Sequence, residues 1–146
     1  MTLMQVIYTA SATAKGDGRD GHVETSDGTL ALDLAVPKEM GGSGGAANPE
    51  QLFAAGYAAC FHSALRLVGR RAKADVSDSV VAAEVGIGPN GSGGFGLTVE
   101  LVVDLPAVSR ETAEQIVEQA HQVCPYSNAT RGNIDVTLTV RETLAA

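Results

Sequence analysis

The sequence predicts an α+β fold in which antiparallel sheets pack around central helices. Several segments alternate apolar and polar residues with a period of two, which is typical of half-buried antiparallel strands. Two other segments have helical spacing, and the order along the chain is strands, helix, strands, helix, strand. The first helix is apolar on nearly every side, so one sheet cannot cover it. We therefore expect two chains to pool their sheets and central helices in a homodimer.

Strands are predicted first in the N-terminal third of the chain. The ranges Gln5 to Ala14 and Gly21 to Ser26 are separated by a glycine-containing turn, and this turn places Arg19 on a loop. A shorter alternating segment follows from Leu30 to Val36. We expect these segments to form strands of one antiparallel sheet.

The first helix has a well-marked beginning. Asn48 suits the N-cap, Pro49 the first helical position and Gln51 the third, where its side chain can complete a capping box. The helix should run to about Arg71. His62 and Arg66 interrupt its apolar run below the roughly 18 residues that a membrane span needs, so we expect a buried core helix.

The second half of the chain repeats the pattern of strands and a helix. Alternation from Val81 to Ile87 and from Phe95 to Leu105 flanks a turn rich in asparagine and glycine, which predicts a hairpin. A second helix should start at Ser109 and end before Pro125. The last strand is expected from Ile134 to Val140.

Composition places the chain among soluble acidic proteins. It has 146 residues, 45% hydrophobic residues and a net charge of −7, which fits one domain spanning residues 1–146. An acidic surface repels nucleic acid and anionic membranes, so neither is an expected partner. The first residues lack a basic segment followed by an apolar stretch, so we expect the protein to be cytoplasmic.

The chain has two cysteines, Cys60 in the apolar first helix and Cys124 at the end of the second. In a reducing compartment a cysteine pair is more often catalytic, redox-sensing or metal-bound than structural. The alternative is that both are small buried apolar residues, which is how free cysteine usually behaves.

Cofactor and metal sites have weak support. The glycine-rich segment 42–45 precedes a helix, but no parallel βαβ unit surrounds it, so it does not predict a dinucleotide site. His121 and Cys124 share a helix face, whereas Cys60 and His62 do not, so a four-ligand zinc site is not expected. We expect no bound cofactor and no metal.

A reactive Cys60 would need a nearby cation. Cys60 lies far beyond the first turn of its helix, so the helix dipole does not lower its pKa, and burial would raise it. Arg19 is the candidate cation, because a guanidinium keeps its charge when desolvated. Glu50, in the first turn of the helix, is the candidate carboxylate that orients Arg19. The alternatives are a solvated turn arginine and an acid that complements the helix dipole.

Three segments resemble one known family. Residues 18–21 (GRDG), 48–61 (NPEQLFAAGYAACF) and 123–133 (VCPYSNATRGN) are similar to signatures of the organic hydroperoxide resistance proteins, a branch of the osmotically inducible protein C superfamily. The resemblance extends over essentially the whole chain. It implies a thiol peroxidase of the bacterial cytoplasm and an intertwined α+β homodimer with active sites at the subunit interface.

The same resemblance implies a role for each site residue. Cys60 corresponds to the peroxidatic cysteine, Cys124 to the resolving cysteine, Arg19 to the activating guanidinium and Glu50 to its carboxylate partner. The substrates would be organic and fatty-acid hydroperoxides. The reductant would be an external dithiol such as dihydrolipoamide, and a lipoylated protein is a candidate to supply it.

Substrate preference should follow the apolar residues near Cys60. The candidate substrate-binding residues are Phe53, Tyr57, Phe61, Tyr126 and Met40. Two other functions stay open from the sequence. A peroxide sensor would use the same cysteine pair without turnover, and a lipid-binding protein would use the apolar pocket with Cys60 as filler.

Overall fold

The computed structural model describes residues 4–141, and over this range the chain forms six strands and three α-helices. The elements in chain order are β1 (Ala12–Lys15), β2 (His22–Thr25), β3 (Ala31–Asp33), α1 (Pro49–Arg71), β4 (Val80–Pro89), β5 (Phe95–Asp104), α2 (Arg110–Val123), α3 (Pro125–Thr130) and β6 (Val136–Arg141). This order confirms the predicted α+β class. The chain divides into two compact units between Pro49 and Glu50, so the single domain over residues 1–146 stays a prediction.

The N-terminal unit is built on an antiparallel sheet with the order β1-β2-β3. Lys15 pairs with His22, and this pairing closes the connection in which residues Gly18–Asp20 form a 3-10 turn. A Cβ at Gly21 would lie 2.3 Å from the carbonyl oxygen of Lys15, so the turn requires glycine there. Asp20 Oδ1 accepts a hydrogen bond of 2.9 Å from the backbone N–H of Val36. The turn that carries Arg19 is therefore fastened to the segment after β3.

The predicted first strand was too long at its N-terminal end. Residues 5–11 have no regular secondary structure, and β1 begins only at Ala12, where β2 is available to pair with it. The side chains of Val6, Ile7 and Tyr8 are exposed. Apolar alternation predicts a strand only where a neighbouring strand can satisfy its backbone groups.

The glycine-rich segment after β3 forms a closed loop. Gly42 N–H donates to the carbonyl of Pro37, Gly44 N–H donates to the carbonyl of Val36, and Leu34 forms a parallel bridge with Ala47. A Cβ at Gly42 would lie 2.1 Å from the carbonyl oxygen of Val36. Close approach of two backbone segments thus explains a glycine at this position.

The C-terminal unit contains a sheet with the order β4-β5-β6 and the main hydrophobic core. β4 and β5 form the predicted hairpin, and Asn90 Oδ1 accepts from the backbone N–H groups of Ser92 and Gly94 within its turn. Val99, Leu101 and Val103 of β5 are at most 3% exposed. The alternation of β5 therefore turns one face of the sheet toward the helices of this unit, as predicted.

One pairing differs from the predicted antiparallel arrangement. β6 lies parallel to β5, with Val99 opposite Val136 and Val103 opposite Val140. The chain between these strands forms α2 and α3, which supply the long crossover that a parallel pair requires. A period of two is the same in both kinds of pair, so the alternation of β6 did not reveal its direction.

Helix α1 has the predicted bounds and is buried on one face. Tyr57, Phe61, Leu65 and Val68 pack into the core, each at most 4% exposed. By length and composition alone α1 could cross a membrane, because an 18-residue window of it has a mean hydropathy of 1.2. In the structure, 33% of that window is buried. One face of α1 thus contributes to the hydrophobic core of the C-terminal unit.

Helix α2 begins at an N-cap serine and ends at a proline, as predicted. Ser109 Oγ accepts a hydrogen bond of 3.2 Å from the backbone N–H of Thr112. Ala113, Ile116, Val117 and Ala120 are buried on the core side. The short helix α3 follows directly after Cys124 and was not predicted. Pro125 stops α2, but as the first residue of α3 it also starts the next helix.

Candidate active site

The two cysteines lie together in the C-terminal unit. Cys124 Sγ is 3.5 Å from Cys60 Sγ, and both thiols are free. Their exposure differs, because Cys60 is partly buried on α1 whereas Cys124 is 0% exposed. Cys60 is thus the more accessible residue of the pair, and Cys124 is enclosed.

Local hydrogen bonds fix the backbone of Cys124. Its N–H donates to the carbonyl of Ala120 at the end of α2, and its carbonyl accepts from the N–H of Asn128 in α3. Its backbone is extended, with φ −61° and ψ 123°, as expected for a residue that precedes proline. The Cys-Pro sequence therefore makes a corner between two helices, with the thiol at the corner.

Burial raises the pKa of the Cys60 thiol above its ordinary value. The backbone N–H of Tyr126 acts in the opposite direction, since its hydrogen bond to the sulfur lowers the pKa. The neighbouring Cys124 side chain raises the pKa further. This direction agrees with the prediction that burial alone works against a reactive thiolate.

A buried polar network lies beside the cysteines. The Tyr57 hydroxyl is 2.8 Å from Ser127 Oγ and 3.2 Å from Thr130 Oγ1, and His121 Nδ1 is 2.8 Å from Ser127 Oγ. Ser127 is 0% exposed and Thr130 is 4% exposed. The sequence pattern did not identify Ser127 and Thr130, because α3 was not predicted. The available signal was that Ser127 and Thr130 are three residues apart in a segment that begins with proline, which places both on one face if that segment is a helix.

Three aromatic rings cover the start of α1 near Cys60. The ring of Tyr126 lies 5.6 Å from that of Tyr57 and 6.2 Å from that of Phe53, measured between centroids. A Cβ at Gly56 would lie 2.9 Å from Tyr126 Oη, so the glycine leaves room for this ring on α1. Tyr126 is 40% exposed and Tyr57 is 0% exposed. Within the cluster, Tyr126 therefore presents an accessible surface and Tyr57 lies beneath.

The structure places the other predicted site residues as follows. Phe61 is buried in the core next to Cys60, and Glu50 lies in the first turn of α1. Arg19 lies in the 3-10 turn of the N-terminal unit, and Met40 ends a second 3-10 turn there, Lys38–Met40. Their roles in catalysis and substrate binding stay predictions.

The histidines of the predicted helices make ordinary polar contacts. His62 Nε2 is 2.9 Å from Ser79 Oγ. This hydrogen bond includes neither cysteine. Burial lowers the pKa of His121, and the nearby Arg131 guanidinium lowers it further. Within residues 4–141, no group of three or more His, Cys, Asp or Glu side chains is arranged to hold a metal ion.

Comparison with known proteins places this geometry in a family. The family model described as OsmC-like protein matches residues 42–139. An organic hydroperoxide resistance protein of Xanthomonas axonopodis pv. citri is 52% identical over 138 residues, covering 93% of this chain and 96% of that protein. The protein OhrB of Bacillus subtilis, with the same description, is 46% identical and covers 92% and 98%.

Solved structures agree with the sequence comparison. A crystal structure of an organic hydroperoxide resistance protein OsmC from Legionella pneumophila has a TM-score of 0.89 and 53% sequence identity. It covers 93% of this chain and 98% of its own. Fold, length and sequence thus agree along nearly the whole chain, and the protein belongs to the OsmC-like family and, within it, to the organic hydroperoxide resistance proteins.

Proposed function

We propose that this protein is a thiol-dependent peroxidase that reduces organic and fatty-acid hydroperoxides to alcohols. Its family connects the chain with resistance to organic hydroperoxides. The observation that carries the proposal is the separation of 3.5 Å between Cys60 Sγ and Cys124 Sγ. The difference in exposure supports the assignment of roles, with Cys60 as the thiol that meets peroxide and Cys124 as the thiol that follows.

In the proposed first step, the Cys60 thiolate attacks the distal oxygen of the hydroperoxide. A sulfur–oxygen bond forms while the O–O bond breaks, and the alkoxide leaves and takes up a proton to become the alcohol. Cys60 becomes a sulfenic acid, so its sulfur is oxidised by two electrons as the peroxide is reduced. Because only the thiolate is nucleophilic, this step needs a charged Cys60.

In the second step, the Cys124 thiol attacks the sulfenic sulfur of Cys60. The disulfide forms, and the sulfenic oxygen leaves as water. An external dithiol such as dihydrolipoamide, free or carried on a lipoylated protein, then reduces the disulfide by thiol–disulfide exchange and is itself oxidised to a cyclic disulfide. The two protein thiols return and the cycle closes without a bound cofactor.

Arg19 and Glu50 are proposed to prepare the first step. The raised pKa of Cys60 is a reason to expect a cation that stabilises the thiolate. Arg19 would supply this charge and also stabilise negative charge that develops on the peroxide oxygens. Glu50 would hold the guanidinium in place by a paired hydrogen bond. Loss of Glu50 should then lower the rate without removing the nucleophile.

Counting free thiols after peroxide treatment tests the proposal. One equivalent of tert-butyl hydroperoxide without reductant should convert both wild-type thiols to a disulfide. Cys60→Ser should keep its remaining thiol, because Cys124 is buried. Cys124→Ser should lose its thiol and give a sulfenic acid that dimedone traps. Mass spectrometry of each variant reads these outcomes directly.

Turnover separates the peroxidase from the other functions. With excess dihydrolipoamide, an enzyme consumes many equivalents of peroxide per chain, whereas a peroxide sensor consumes one. A lipid-binding protein would bind a fatty acid equally well with Cys60→Ser and would not consume peroxide. A wild-type chain that consumes no more than one equivalent contradicts the peroxidase.

We expect organic hydroperoxides to react faster than hydrogen peroxide. Burial of an alkyl group against apolar surface contributes about 0.8 kcal/mol per methylene, and the rings of Phe53 and Tyr126 offer such a surface beside Cys60. Second-order rate constants for cumene hydroperoxide, tert-butyl hydroperoxide and hydrogen peroxide should decrease in that order. Equal constants for all three would contradict an apolar binding surface.

The protein is further proposed to act in the cytoplasm as a homodimer. The support is the face of α1 opposite the core, where Ala55, Ala59 and Ser63 are exposed in the single chain. An apolar helix with one exposed face of small residues is suited to pack against a second copy.

A further inference from the structure

One buried hydroxyl joins the three helices of the C-terminal unit. Ser127 Oγ of α3 lies 2.8 Å from His121 Nδ1 of α2 and 2.8 Å from the hydroxyl of Tyr57 on α1. Within residues 4–141, every buried side-chain nitrogen or oxygen has a hydrogen-bond partner, so this network is complete. Complete buried networks fix geometry, because each bond is directional and costly to break.

The residues of this network flank the two cysteines in the sequence. His121 precedes Cys124 by three residues and Ser127 follows it by three, so their hydrogen bond spans the corner that carries the thiol. Tyr57 precedes Cys60 by three residues, which places both on neighbouring positions of one side of α1. The bond between Tyr57 and Ser127 therefore connects the helix of one cysteine to the corner of the other.

Arg131, which follows α3, adds further hydrogen bonds across the same corner. Its Nη2 donates to the carbonyl of His121, and its Nη1 donates to Asn128 Oδ1 at 2.7 Å. The last turn of α2 and the body of α3 are thus connected twice, once through the buried hydroxyl and once through the guanidinium. The backbone that carries Cys124 therefore cannot shift without breaking these bonds.

We propose that Tyr57, Ser127 and His121 are positioning residues that hold the Cys124 thiol against Cys60 and so set the rate of disulfide formation. This inference rests on the proposed peroxidase function. Disulfide formation requires the sulfurs to close from 3.5 Å to about 2.05 Å, so a small displacement of Cys124 affects this step directly. Attack of Cys60 on peroxide forms no bond to the Cys124 sulfur.

A competing reaction makes the second step measurable. The sulfenic acid of Cys60 either condenses with Cys124, releasing water, or reacts with a second hydroperoxide to give sulfinic acid and another molecule of alcohol. The ratio of disulfide to sulfinic acid at a fixed peroxide concentration therefore reports the rate of condensation. Thiols of unfolded molecules also react with peroxide, so the ratio is measured on the isolated folded fraction, in which it depends on the position of Cys124.

The test compares variants of Ser127 and His121 in the full chain. Ser127→Ala removes the shared hydroxyl, and we expect the ratio of disulfide to sulfinic acid to fall on the order of tenfold with excess tert-butyl hydroperoxide. His121→Leu should lower the ratio in the same direction. His121→Asn should restore it toward the wild-type value, because the asparagine amide can occupy the position of Nδ1 and meet Ser127 Oγ.

The matched control is Ser79→Ala. Ser79 is another buried serine with two hydrogen bonds, to His62 Nε2 at 2.9 Å and to the carbonyl of Val76 at 2.6 Å. Its loss should lower stability and leave the product ratio unchanged. If Ser127→Ala does not fold, the comparison of His121→Leu with His121→Asn decides alone.

Three results would overturn the inference. The first is a wild-type ratio in a folded Ser127→Ala protein, the second is a wild-type ratio in His121→Leu, and the third is an equal fall in His121→Leu and His121→Asn. Failure of the proposed function looks different, since the wild-type chain would then form neither a disulfide nor a sulfinic acid at Cys60.

Discussion

The surroundings of Cys60 in the fold control the pKa of its thiol. Burial and the neighbouring thiol raise the pKa of Cys60, and the backbone N–H of Tyr126 offsets only part of that effect. At neutral pH a raised pKa leaves a smaller thiolate fraction than an exposed cysteine would have. A reactive Cys60 therefore requires a further source of positive potential, and this is the physical argument for Arg19.

Replacement of Arg19 should change both the rate and its pH dependence. A cation lowers a thiol pKa, so Arg19→Ala should raise the pKa of Cys60 and reduce the thiolate fraction below that pKa. We expect the second-order rate constant for cumene hydroperoxide at pH 7 to fall at least about tenfold, with partial recovery as the pH rises. Single-turnover kinetics over a pH series measures both effects.

Arg70→Ala is the control for this charge change. It removes one positive charge from the exposed last turn of α1 and should leave the pH profile of the peroxide reaction unchanged. Equal profiles for wild type and Arg19→Ala would show that the Cys60 thiolate does not depend on Arg19.

Sequence reasoning identified individual residues well where local chemistry is distinctive. The cysteines stand out because the chain has only two, and the predicted pair lies at 3.5 Å in the structure. Ser127 and Thr130 could not be identified in this way. Serine and threonine are common in turns, and their burial next to Tyr57 depends on a helix that local propensity did not reveal.

The contact between α3 and α1 determines where Cys124 sits. Three residues of α3 meet α1: the hydroxyls of Ser127 and Thr130 lie within hydrogen-bond distance of the Tyr57 hydroxyl, and the ring of Tyr126 lies over Gly56. A six-residue helix has little intrinsic stability, so these contacts rather than propensity keep α3 in place. This explains why a sequence pattern of so few residues did not predict it.

Gly56→Ala should displace Tyr126 without unfolding the protein. The new methyl would lie 2.9 Å from Tyr126 Oη and 3.2 Å from Cε2, and the ring has open solvent on its exposed side. Alanine also improves helix propensity by about 1 kcal/mol, which offsets part of the steric cost. We expect a small change in the free energy of unfolding and a several-fold weaker preference for organic over hydrogen peroxide.

The same substitution elsewhere in α1 serves as the control. A Cβ at Gly69 would lie 2.7 Å from Val76 in the core, so Gly69→Ala should reduce stability more than Gly56→Ala does. The preference among peroxides should stay as in the wild type. Identical peroxide preferences in Gly56→Ala and the wild type would argue against Tyr126 as part of the substrate surface.

Strand direction is a second feature that local pattern did not resolve. β6 was expected in an antiparallel sheet and instead pairs parallel with β5. Residues of β6 alternate as any half-buried strand does, and the parallel direction follows from the route of the chain through α2 and α3. The length of the connection between β5 and β6 indicates the parallel direction, whereas the composition of β6 does not.

The proposed homodimer is argued from the two faces of α1. The core covers one face through Tyr57, Phe61 and Leu65, while Ala55, Ala59 and Ser63 on the other side are exposed in a single chain. Exposed small residues along a helix of 23 residues would leave apolar surface in water. A second copy that packs on this face would remove that apolar surface from water, and this is the basis of the proposed homodimer.

A charge on the exposed face of α1 should weaken the dimer. Ser63→Glu introduces a carboxylate that would be desolvated between two chains, so the dissociation constant should rise by at least about tenfold. Sedimentation velocity at micromolar concentration measures the change. Gln115→Glu, on the exposed side of α2, introduces the same group and should leave the dimer intact. A monomeric wild-type chain would contradict the proposed assembly.

The amino-acid sequence determined the α+β class, the bounds of α1, the hairpin of β4 and β5 and the identity of both cysteines. These features depend on periodicity, capping residues and turn chemistry, which act over a few neighbouring residues. The tertiary structure decided that the thiols meet, that Ser127 joins three helices and that β6 runs parallel to β5. Such features depend on contacts between residues far apart in the chain, and no local pattern contains them.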